Sequence, residues 1–210
     1  MRALATPSRI ALTAAATVLL AITLPGCSQT RPSYVWQRCL GGSDDDVALS
    51  IQPTPDQGYV VAGGTRSKDG DVTGQHGNRD CWVVKLSANG DIQWQRCLGG
   101  SDYDAAYSIQ PTPDQGYVVA GGTCSRNGDV TGQHGGVDCW VVKLSANGHI
   151  QWQRCLGGSD VDLANSIQPT PDQGYVVAGY TRSRDGDVTG QHGDRDCWVV
   201  KLHRQDNSRR

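Results

Sequence analysis

The stretch Asp80-Cys-Trp-Val-Val-Lys-Leu-Ser-Ala-Asn-Gly-Asp-Ile-Gln-Trp-Gln-Arg-Cys-Leu98 has the pattern of two β-strands joined by a tight turn. Valine and tryptophan favour strands, and Ala-Asn-Gly is a common three-residue hairpin connection with glycine in the left-handed conformation. The stretch returns almost unchanged at residues 138–156, within a unit that begins again every 58 residues, at Trp36, Trp94 and Trp152. A chain that repeats one unit at a fixed period is predicted to repeat one structural element.

Each unit contains a second predicted hairpin. In the first unit, residues 48–54 and 58–63 are rich in strand-forming residues, and the cluster Pro55-Asp56-Gln57 between them favours a turn. The third unit stops after Leu202, before its fourth strand, whereas residues 34–40 are a spare copy of that strand at the start of the domain. The sequence therefore predicts an all-β fold of three four-stranded repeats.

Four short strands per unit, arranged around a ring, describe a β-propeller. We therefore predict a β-propeller-like domain over residues 34–202, in which the N-terminal strand completes the last unit and closes the ring. A β-trefoil, which also has three four-stranded units, is the alternative fold. Because propellers usually have four to eight blades, we consider two closures: three units that close alone, and a homodimer that forms a six-bladed ring.

Four motifs recur in each unit. In the first unit they are Gly41-Gly-Ser-Asp44, Thr54-Pro-Asp-Gln-Gly-Tyr59, Asp69-Gly-Asp-Val-Thr-Gly-Gln-His-Gly77 and Trp82-Val-Val-Lys-Leu86. Together they resemble a bacterial family of secreted and lipoprotein repeats with the pattern GGSxxD, TxDGGYxVAG, DGDVxGxHG and WVVKL. The resemblance covers residues 36–202 and implies a propeller-like fold. Most members of that family have no assigned activity. This chain departs from the pattern in having Gln57 where glycine is usual, in its cysteines and in its small number of copies.

The N-terminal segment has the features of an export signal. Arg2 and Arg9 precede an apolar run at residues 10–24, which is followed by Leu24-Pro-Gly-Cys27. The segment resembles a bacterial lipoprotein signal, so residues 1–27 are predicted to be the signal with Cys27 lipidated, residues 28–33 a tether, and residues 203–210 a polar tail. An ordinary secretory signal is the alternative. Both predict an extracytoplasmic domain, and the first predicts a membrane partner through the lipid anchor in the bacterial cell envelope.

Cysteine positions predict a disulfide framework if the protein is exported. A hairpin turn at Ala88-Asn-Gly90 would place Cys81 opposite Cys97 and, on the other face, Leu86 opposite Ile92. In the third unit Cys197 has no such partner in a following strand, so it is predicted to pair with Cys39 of the N-terminal strand that closes the ring. Free thiols or zinc ligands are the alternative. Cys124 is the odd thiol, either free or a link between two chains. The predicted disulfides are Cys81–Cys97, Cys139–Cys155 and Cys39–Cys197.

Acidic loops are the candidate cation sites. Their oxygen-bearing side chains occupy positions one, three, five and twelve of a segment with glycine at six, which is the spacing of a calcium loop. The second copy has Asn127 at the first position and would bind more weakly, and aspartates that cap turns are the alternative role. Calcium is thus a possible cofactor, with the ligands Asp69, Asp71, Thr73 and Asp80, then Asp129, Thr131 and Asp138, then Asp185, Asp187, Thr189 and Asp196.

The loop histidines, the repeated serines and the positions that vary between copies are the remaining candidates for chemistry or binding. His76, His134 and His192 each follow glutamine and precede glycine, which favours a hydrogen-bonded loop histidine over a catalytic one. Serine, histidine and aspartate recur in all three units without a G-x-S-x-G motif, so nothing marks a nucleophile. Positions that differ between the copies alternate along one strand, and they include Tyr103 and Tyr107, which could form a binding surface.

These observations predict a function in binding. The formal net charge is −2 over 210 residues, and no basic run could follow a phosphate backbone, so nucleic acid is excluded as a partner. We expect a lipid-anchored extracytoplasmic module that is not an enzyme and binds a protein or glycan ligand. The alternatives are a propeller-based hydrolase that acts on glycans or peptides, and a structural envelope protein.

Overall fold

The computed structural model describes residues 34–203, in which all regular structure is antiparallel β-sheet. The first sheet contains β1 (Asp46–Pro53), β2 (Tyr59–Thr65), β3 (Asp80–Leu86) and β4 (Ile92–Leu98), paired in that order. The second contains β5 (Asp104–Pro111), β6 (Tyr117–Thr123), β7 (Asp138–Leu144) and β8 (Ile150–Leu156). The third contains β9 (Asp162–Pro169), β10 (Tyr175–Thr181) and β11 (Asp196–Leu202).

The predictions of an all-β fold and of three equivalent repeats are confirmed. The chain divides after Val35, and the three sheets belong to the second part, Trp36–Arg210. The predicted signal peptide, Cys27, the tether at residues 28–33, and residues 204–210 of the polar tail lie outside the described residues. Between residues 34 and 203 no helix is long and apolar enough to span a bilayer.

The first turn of each unit explains one departure from the family pattern. Gln57 has a φ of 65°, in the left-handed region that glycine adopts most easily. The turn is closed by hydrogen bonds from the Gln57 N–H to the Thr54 carbonyl (2.9 Å) and from the Thr54 N–H to the Gly58 carbonyl (2.9 Å). Gln115 and Gln173 have the same conformation. Glutamine is therefore held in a conformation that costs a non-glycine residue about 1 kcal/mol or more.

The predicted register of the second hairpin is wrong by one residue along most of its length. Leu86 lies opposite Ile92 as predicted, but Lys85 lies opposite Trp94, and Cys97 lies opposite Trp82. The difference arises at Gln93, an extra residue that forms a β-bulge. The bulge turns the Gln93 amide oxygen toward the Lys85 ammonium, 2.9 Å away. Side chains beyond the bulge therefore exchange faces relative to the prediction.

This shift removes the basis of the disulfide prediction. Cys81 packs in the apolar layer between the first and second sheets, whereas Cys97 packs on the opposite face of the first sheet, beside Trp82. The same separation holds for the second hairpin. The three predicted disulfides are therefore not formed, and the free cysteines of the described residues are Cys39, Cys81, Cys97, Cys124, Cys139, Cys155 and Cys197.

The sheets stack face to face, and two layers of the core lie between them, while a third, smaller cluster lies on the outer side of the first sheet around Trp82 and Val84. In the first layer, Val83 of the first sheet faces residues of the second sheet that include Ile109 and Val142, all fully buried. The second layer repeats this arrangement with Val141 and Ile167. Burying an aliphatic side chain of this size contributes roughly 1.5–3 kcal/mol. The second sheet is the only one of the three with both faces covered by other sheets.

The predicted closure by the N-terminal strand is not formed. Among the described residues β11 pairs with β10 alone, and residues 34–40 do not form a strand. Cys39 and Cys197, which were predicted to lock the seam, are both exposed. Within residues 34–203 the sheets also form no closed barrel of the kind that the β-trefoil alternative requires. One outer face of the first sheet and one of the third therefore lack a neighbouring sheet.

Candidate functional site

The first strands of the three sheets lie side by side and form a continuous surface. The Ile109 N–H on β5 donates to the Ser50 hydroxyl on β1 (3.2 Å). The Ile167 N–H on β9 donates in the same way to the Ser108 hydroxyl on β5 (3.3 Å). Each of these strands is an edge of its own sheet, so the contacts join neighbouring sheets. We call the surface formed by β1, β5 and β9 the inner-strand surface.

Each strand of the inner-strand surface contains a β-bulge at the same position. The pairing passes from Ala48 to Ser50 on β1 and leaves Leu49 without an opposite residue. The equivalent unpaired residues are Tyr107 on β5 and Asn165 on β9. A bulge redirects a side chain out of the regular alternation of the strand. In each sheet the bulge therefore changes the direction of one side chain, and the residue at that position differs between the three copies.

The two tyrosines that were predicted from the sequence come together on β5. Tyr107 and Tyr103 are neighbours, and both side chains are half-buried. The Arg79 guanidinium lies 5.4 Å from the centre of the Tyr103 ring, a cation–π contact between the first and second sheets. Burial, followed by the neighbouring Tyr103, raises the pKa of Tyr107. Tyr107 therefore stays neutral at physiological pH and can offer a ring and a hydroxyl to a ligand.

Tyr180 and Arg195 form a second aromatic contact that the sequence reasoning missed. The Arg195 guanidinium lies 4.1 Å from the centre of the Tyr180 ring, on the third sheet. The equivalent positions of Tyr180 in the other units are Gly64 and Gly122, which have no side chain. A change from glycine to tyrosine at one copy of a repeat was the available signal.

The loop histidines are paired with aspartates and not with one another. The His76 Nδ1 lies 2.6 Å from a carboxylate oxygen of Asp80, and the same oxygen accepts the His76 backbone N–H at 2.9 Å. The other two units repeat the contact at 2.7 and 2.9 Å. Burial raises the pKa of Asp80, and the hydrogen bonds from His76 oppose that change. Each histidine thus fastens its own loop to the start of a strand.

The oxygens of the predicted calcium loops are directed at separate protein partners. The Asp69 carboxylate accepts the Ser43 N–H (2.7 Å), and the Asp71 carboxylate accepts the Gly41 N–H (3.1 Å). The Thr73 oxygens accept the Gln95 amide. Among residues 34–203, no three His, Cys, Asp or Glu side chains form a group that could hold a metal ion. In the structure Asp69 and Asp71 hold turns through backbone N–H groups, as in the alternative role, and calcium binding stays a prediction.

Serine and aspartate meet in each unit, and in the second and third units both residues are fully buried. The Ser125 hydroxyl donates to the Asp104 carboxylate (2.7 Å), which also accepts from the Gly100 N–H (2.8 Å) and from Thr123. Both Ser125 and Asp104 have no exposed surface. A serine that donates to a buried carboxylate cannot reach a substrate, and its role here is to hold the Gly-Gly loop on the strand.

The four buried thiols are also unsuited to nucleophilic chemistry. Burial is the largest factor that raises the pKa of Cys97 and of Cys155, in each case to about 12. Burial likewise raises the pKa of Cys81 and Cys139. A cysteine acts as a nucleophile in its thiolate form, which these pKa values make scarce at neutral pH.

Most of this chain is similar to a small part of a known regulatory protein. No protein-family model matches the chain. The chain is similar to regulatory protein FlaEY of Caulobacter vibrioides, with 26% identity over 173 residues, which cover 76% of this chain and 18% of FlaEY. The chain thus spans less than a fifth of the length of that relative, and the similarity is below the level that establishes a family.

Proposed function

We propose that the protein is a lipid-anchored, extracytoplasmic, β-propeller-like module that binds a protein or glycan ligand and catalyses no reaction. The observation that carries this proposal is the inner-strand surface. A framework that is nearly identical in three units presents a different bulge residue from each unit, namely Leu49, Tyr107 and Asn165. Loops and bulges that vary on a rigid scaffold are a common basis of recognition.

The packing supports a propeller-like arrangement. Antiparallel meanders are stacked face to face, and the first strand of each lies beside the first strand of the next. In a propeller the first strands surround the central axis and the fourth strands lie outermost, so the bulge residues would face the central mouth. Tyr103 and Tyr107 would supply the aromatic part of a site there, because tyrosine combines an apolar ring with a hydrogen-bonding hydroxyl.

The proposal of export and of a lipid anchor is based only on the predicted signal at residues 1–27. The apolar run at residues 10–24 and Cys27 carry this part of the proposal. The disulfide framework no longer contributes to it, because the described cysteines are free. When expressed in a bacterium that has an outer membrane, the wild-type chain is expected to partition into the detergent phase of a membrane extract. The Cys27→Ser variant is expected to partition into the aqueous phase. Identical partitioning of the two chains would refute the anchor.

The binding function is tested by an array of envelope glycans and peptides probed with the purified full-length chain. Each bound probe is then measured by calorimetry with Tyr107→Ala, which removes the ring and hydroxyl from the inner-strand surface. The matched control is Tyr34→Ala, because Tyr34 is exposed and lies outside that surface. We expect Tyr107→Ala to weaken binding at least about tenfold, as is typical of aromatic anchors, and Tyr34→Ala to leave it unchanged. Equal effects would refute this location, and turnover of a probe would favour the hydrolase alternative.

A further inference from the structure

Two sheet faces in the described chain lack a neighbouring sheet, and they are of complementary types. We call the side of the first sheet without a neighbouring sheet the leading face and the corresponding side of the third sheet the trailing face. The leading face contains Ile51, Val61 and Trp82, whose counterparts in the second sheet pack against the first sheet. Trp82 is already buried, because Trp36 and Leu40 pack in the same cluster. The trailing face contains Val199 and Cys197, whose counterparts in the second sheet pack against the third. The first and third sheets of the described chain therefore each present half of an interface that the chain forms twice between its own sheets.

Exposure of equivalent residues shows what each face has lost. Ile51 on the leading face is 56% exposed, whereas its counterparts Ile109 and Ile167 are completely buried. Val199 on the trailing face is 61% exposed, whereas its counterparts Val83 and Val141 are completely buried. A cavity of about 430 Å³ opens on the leading face. Exposed aliphatic surface of this kind is unfavourable in water and marks an interaction site.

The N-terminal segment already occupies the position of an outer strand on the leading face. The centres of the Trp36 and Tyr59 rings are 5.8 Å apart, and the equivalent distance between Trp94 of β4 and Tyr117 of the second sheet is 5.7 Å. Arg38 donates to the Asn89 carbonyl at 3.1 Å, as its counterpart on β4 donates to the second sheet at 2.9 Å. Residues 36–40 thus pack on the first sheet as β4 packs on the second.

Residues 36–40 lie on the leading face without the strand that would be their pairing partner. β4 is paired with β3, but no described residue forms an equivalent of β3 beside residues 36–40. On the trailing side, β11 is the equivalent of β3, and within residues 34–203 no fourth strand pairs with its outer edge. An unpaired strand edge is a template for a strand from another chain. The segment and the edge are therefore the two halves of one missing hairpin.

Residues at the boundaries between sheets indicate that the two ends fit each other. At the first boundary Arg79 contacts Tyr103, and at the second Val137 pairs with Val161. The repeat places Arg195 on the trailing face and Asp45 on the leading face at these same positions. Each boundary therefore has a matched pair of residues. The pair is a cation–π contact at the first boundary and an apolar contact at the second, and the two residues at the ends of the chain have opposite charges.

We propose that a second copy of this chain docks head to tail, with the leading face of each copy on the trailing face of the other. Residues 36–40 of one copy add to β11 of its partner as the fourth strand, and Asp45 forms an ion pair with Arg195 of the partner subunit. The Ser166 hydroxyl accepts the partner's Ile51 N–H, as Ser50 and Ser108 accept at the internal boundaries. Two copies give six units, the one multiple of three within the usual four to eight blades.

This inference uses the proposed propeller-like ring for the number of copies and does not depend on ligand binding. The interface itself follows from the two internal boundaries, which the described chain already forms. Failure of the ligand experiment would therefore leave it intact. Conversely, a chain that stays monomeric would leave the inner-strand surface available for binding.

Disulfide trapping between two different variants tests the arrangement. In the internal hairpins Val83 lies opposite Arg96 and Val141 opposite Arg154, so Val199 is expected to lie opposite Arg38 of the partner subunit. Directly opposite residues on antiparallel strands are close enough for a disulfide. Arg38→Cys and Val199→Cys are made separately in the full-length chain. Both carry Cys27→Ser, Cys39→Ser, Cys124→Ser and Cys197→Ser.

The two variants are mixed, oxidised and analysed by non-reducing electrophoresis and intact mass. We expect a covalent heterodimer of twice the chain mass in the mixture and little in either variant alone. The matched control replaces Val199→Cys with Asn147→Cys, an exposed turn residue of the second sheet, and is expected to give none. A mixture that remains monomeric overturns the proposal. A single chain that carries both cysteines should give dimers; circular monomers or a ladder of larger species would also overturn it.

A charge exchange tests the predicted ion pair by sedimentation equilibrium. Asp45→Arg and Arg195→Asp each place like charges together in the docked dimer and are expected to raise its dissociation constant about tenfold. The combined exchange restores opposite charges and is expected to return the constant to within about threefold of the wild type. Asp102→Arg, on an exposed loop of the second unit, is the matched control and should have no effect. Equal constants for all variants, or no restoration by the combined exchange, would overturn this pairing.

Discussion

The second and third sheets have nearly the same sequence and very different surroundings. The second sheet is covered on both faces, and five of the eight residues of β5 and every residue of β6 and β7 are buried, whereas in β11 only Leu202 is buried. Val141 and Val199 are counterparts, yet one is fully buried and the other is 61% exposed. Burial in this protein is thus set by the neighbouring unit as much as by the residue. Stability is expected to be distributed accordingly, as in other repeat proteins.

The largest expected effect comes from truncating one isoleucine in two contexts. Ile109→Ala removes a side chain that is fully buried between the first two sheets, and we expect it to lower the free energy of unfolding by about 2–5 kcal/mol. Ile51→Ala, at the equivalent position of the leading face, should cost less than about 1 kcal/mol in the monomer. Urea unfolding of both variants at low protein concentration measures the difference. Equal losses would mean that the leading face is covered in the isolated chain.

The buried lysines give the next largest difference. Lys143 is 4% exposed and bonds Asp114 at 2.9 Å, whereas its counterpart Lys201 is 41% exposed and bonds Asp172 at 2.6 Å. Asp114→Ala leaves a buried ammonium with fewer partners and should cost about 1–3 kcal/mol. Asp172→Ala breaks a solvated ion pair and should cost less than about 1 kcal/mol. Thermal unfolding of the two variants provides the comparison, and a larger loss for Asp172→Ala would contradict it.

Acid sensitivity extends this comparison to the first sheet. The hydrogen bond from Lys85, followed by that from Thr54, lowers the pKa of Asp56 to about 2. Because folding lowers this pKa, ionised Asp56 stabilises the fold above about pH 4, the ordinary range of the aspartate pKa, and that stabilisation is lost as the pH falls toward 2. The melting temperature of Asp56→Asn should therefore change less between pH 4 and pH 2 than that of the wild type. Parallel curves would show that the pair contributes nothing.

The smallest expected effect is that of calcium. The calcium prediction expects the third loop, with Asp185, to bind better than the second, with Asn127. In the structure both side chains accept the N–H of a serine, Ser159 and Ser101 respectively, so the loops should not differ. We expect a chelator and millimolar calcium to give the same melting temperature. Calcium at a hundred times the dissociation constant of a site would stabilise the fold by about 2.7 kcal/mol, so an increase of several degrees in the melting temperature would support the calcium prediction.

The strands and turns of this fold were predictable from the sequence because their signals are local. Valine pairs mark the strands, and the Pro-Asp-Gln and Ala-Asn-Gly clusters mark the turns at the positions where the structure has them. The bulge at Gln93 was not predictable, because it is stabilised by a contact with Lys85 on the neighbouring strand. That single residue changed the register and removed the disulfide prediction.

The candidate site was predictable only in part, for a related reason. Variation between copies pointed to Tyr103 and Tyr107, and the structure brings them into contact. The bulges that redirect Leu49 and Asn165 depend on pairing with the second strand of each sheet and leave no clear mark in the sequence. Spacing suggested a cation at Asp69, but its carboxylate accepts from Ser43, which lies well before it in the chain. Such long-range partners cannot be inferred from loop spacing.

The position of Trp36 has a consequence for how this protein could change in evolution. Because residues 36–40 pack ahead of the first sheet, the sequence repeat and the sheet are out of phase by one strand. A duplication or deletion of 58 residues within the array, wherever its end points fall, would therefore add or remove one whole sheet and would change the terminal surfaces only at positions that differ between the copies, such as Asp45 and Tyr103. Recombination between the near-identical copies in the gene can thus lengthen or shorten the array without having to preserve any particular boundary.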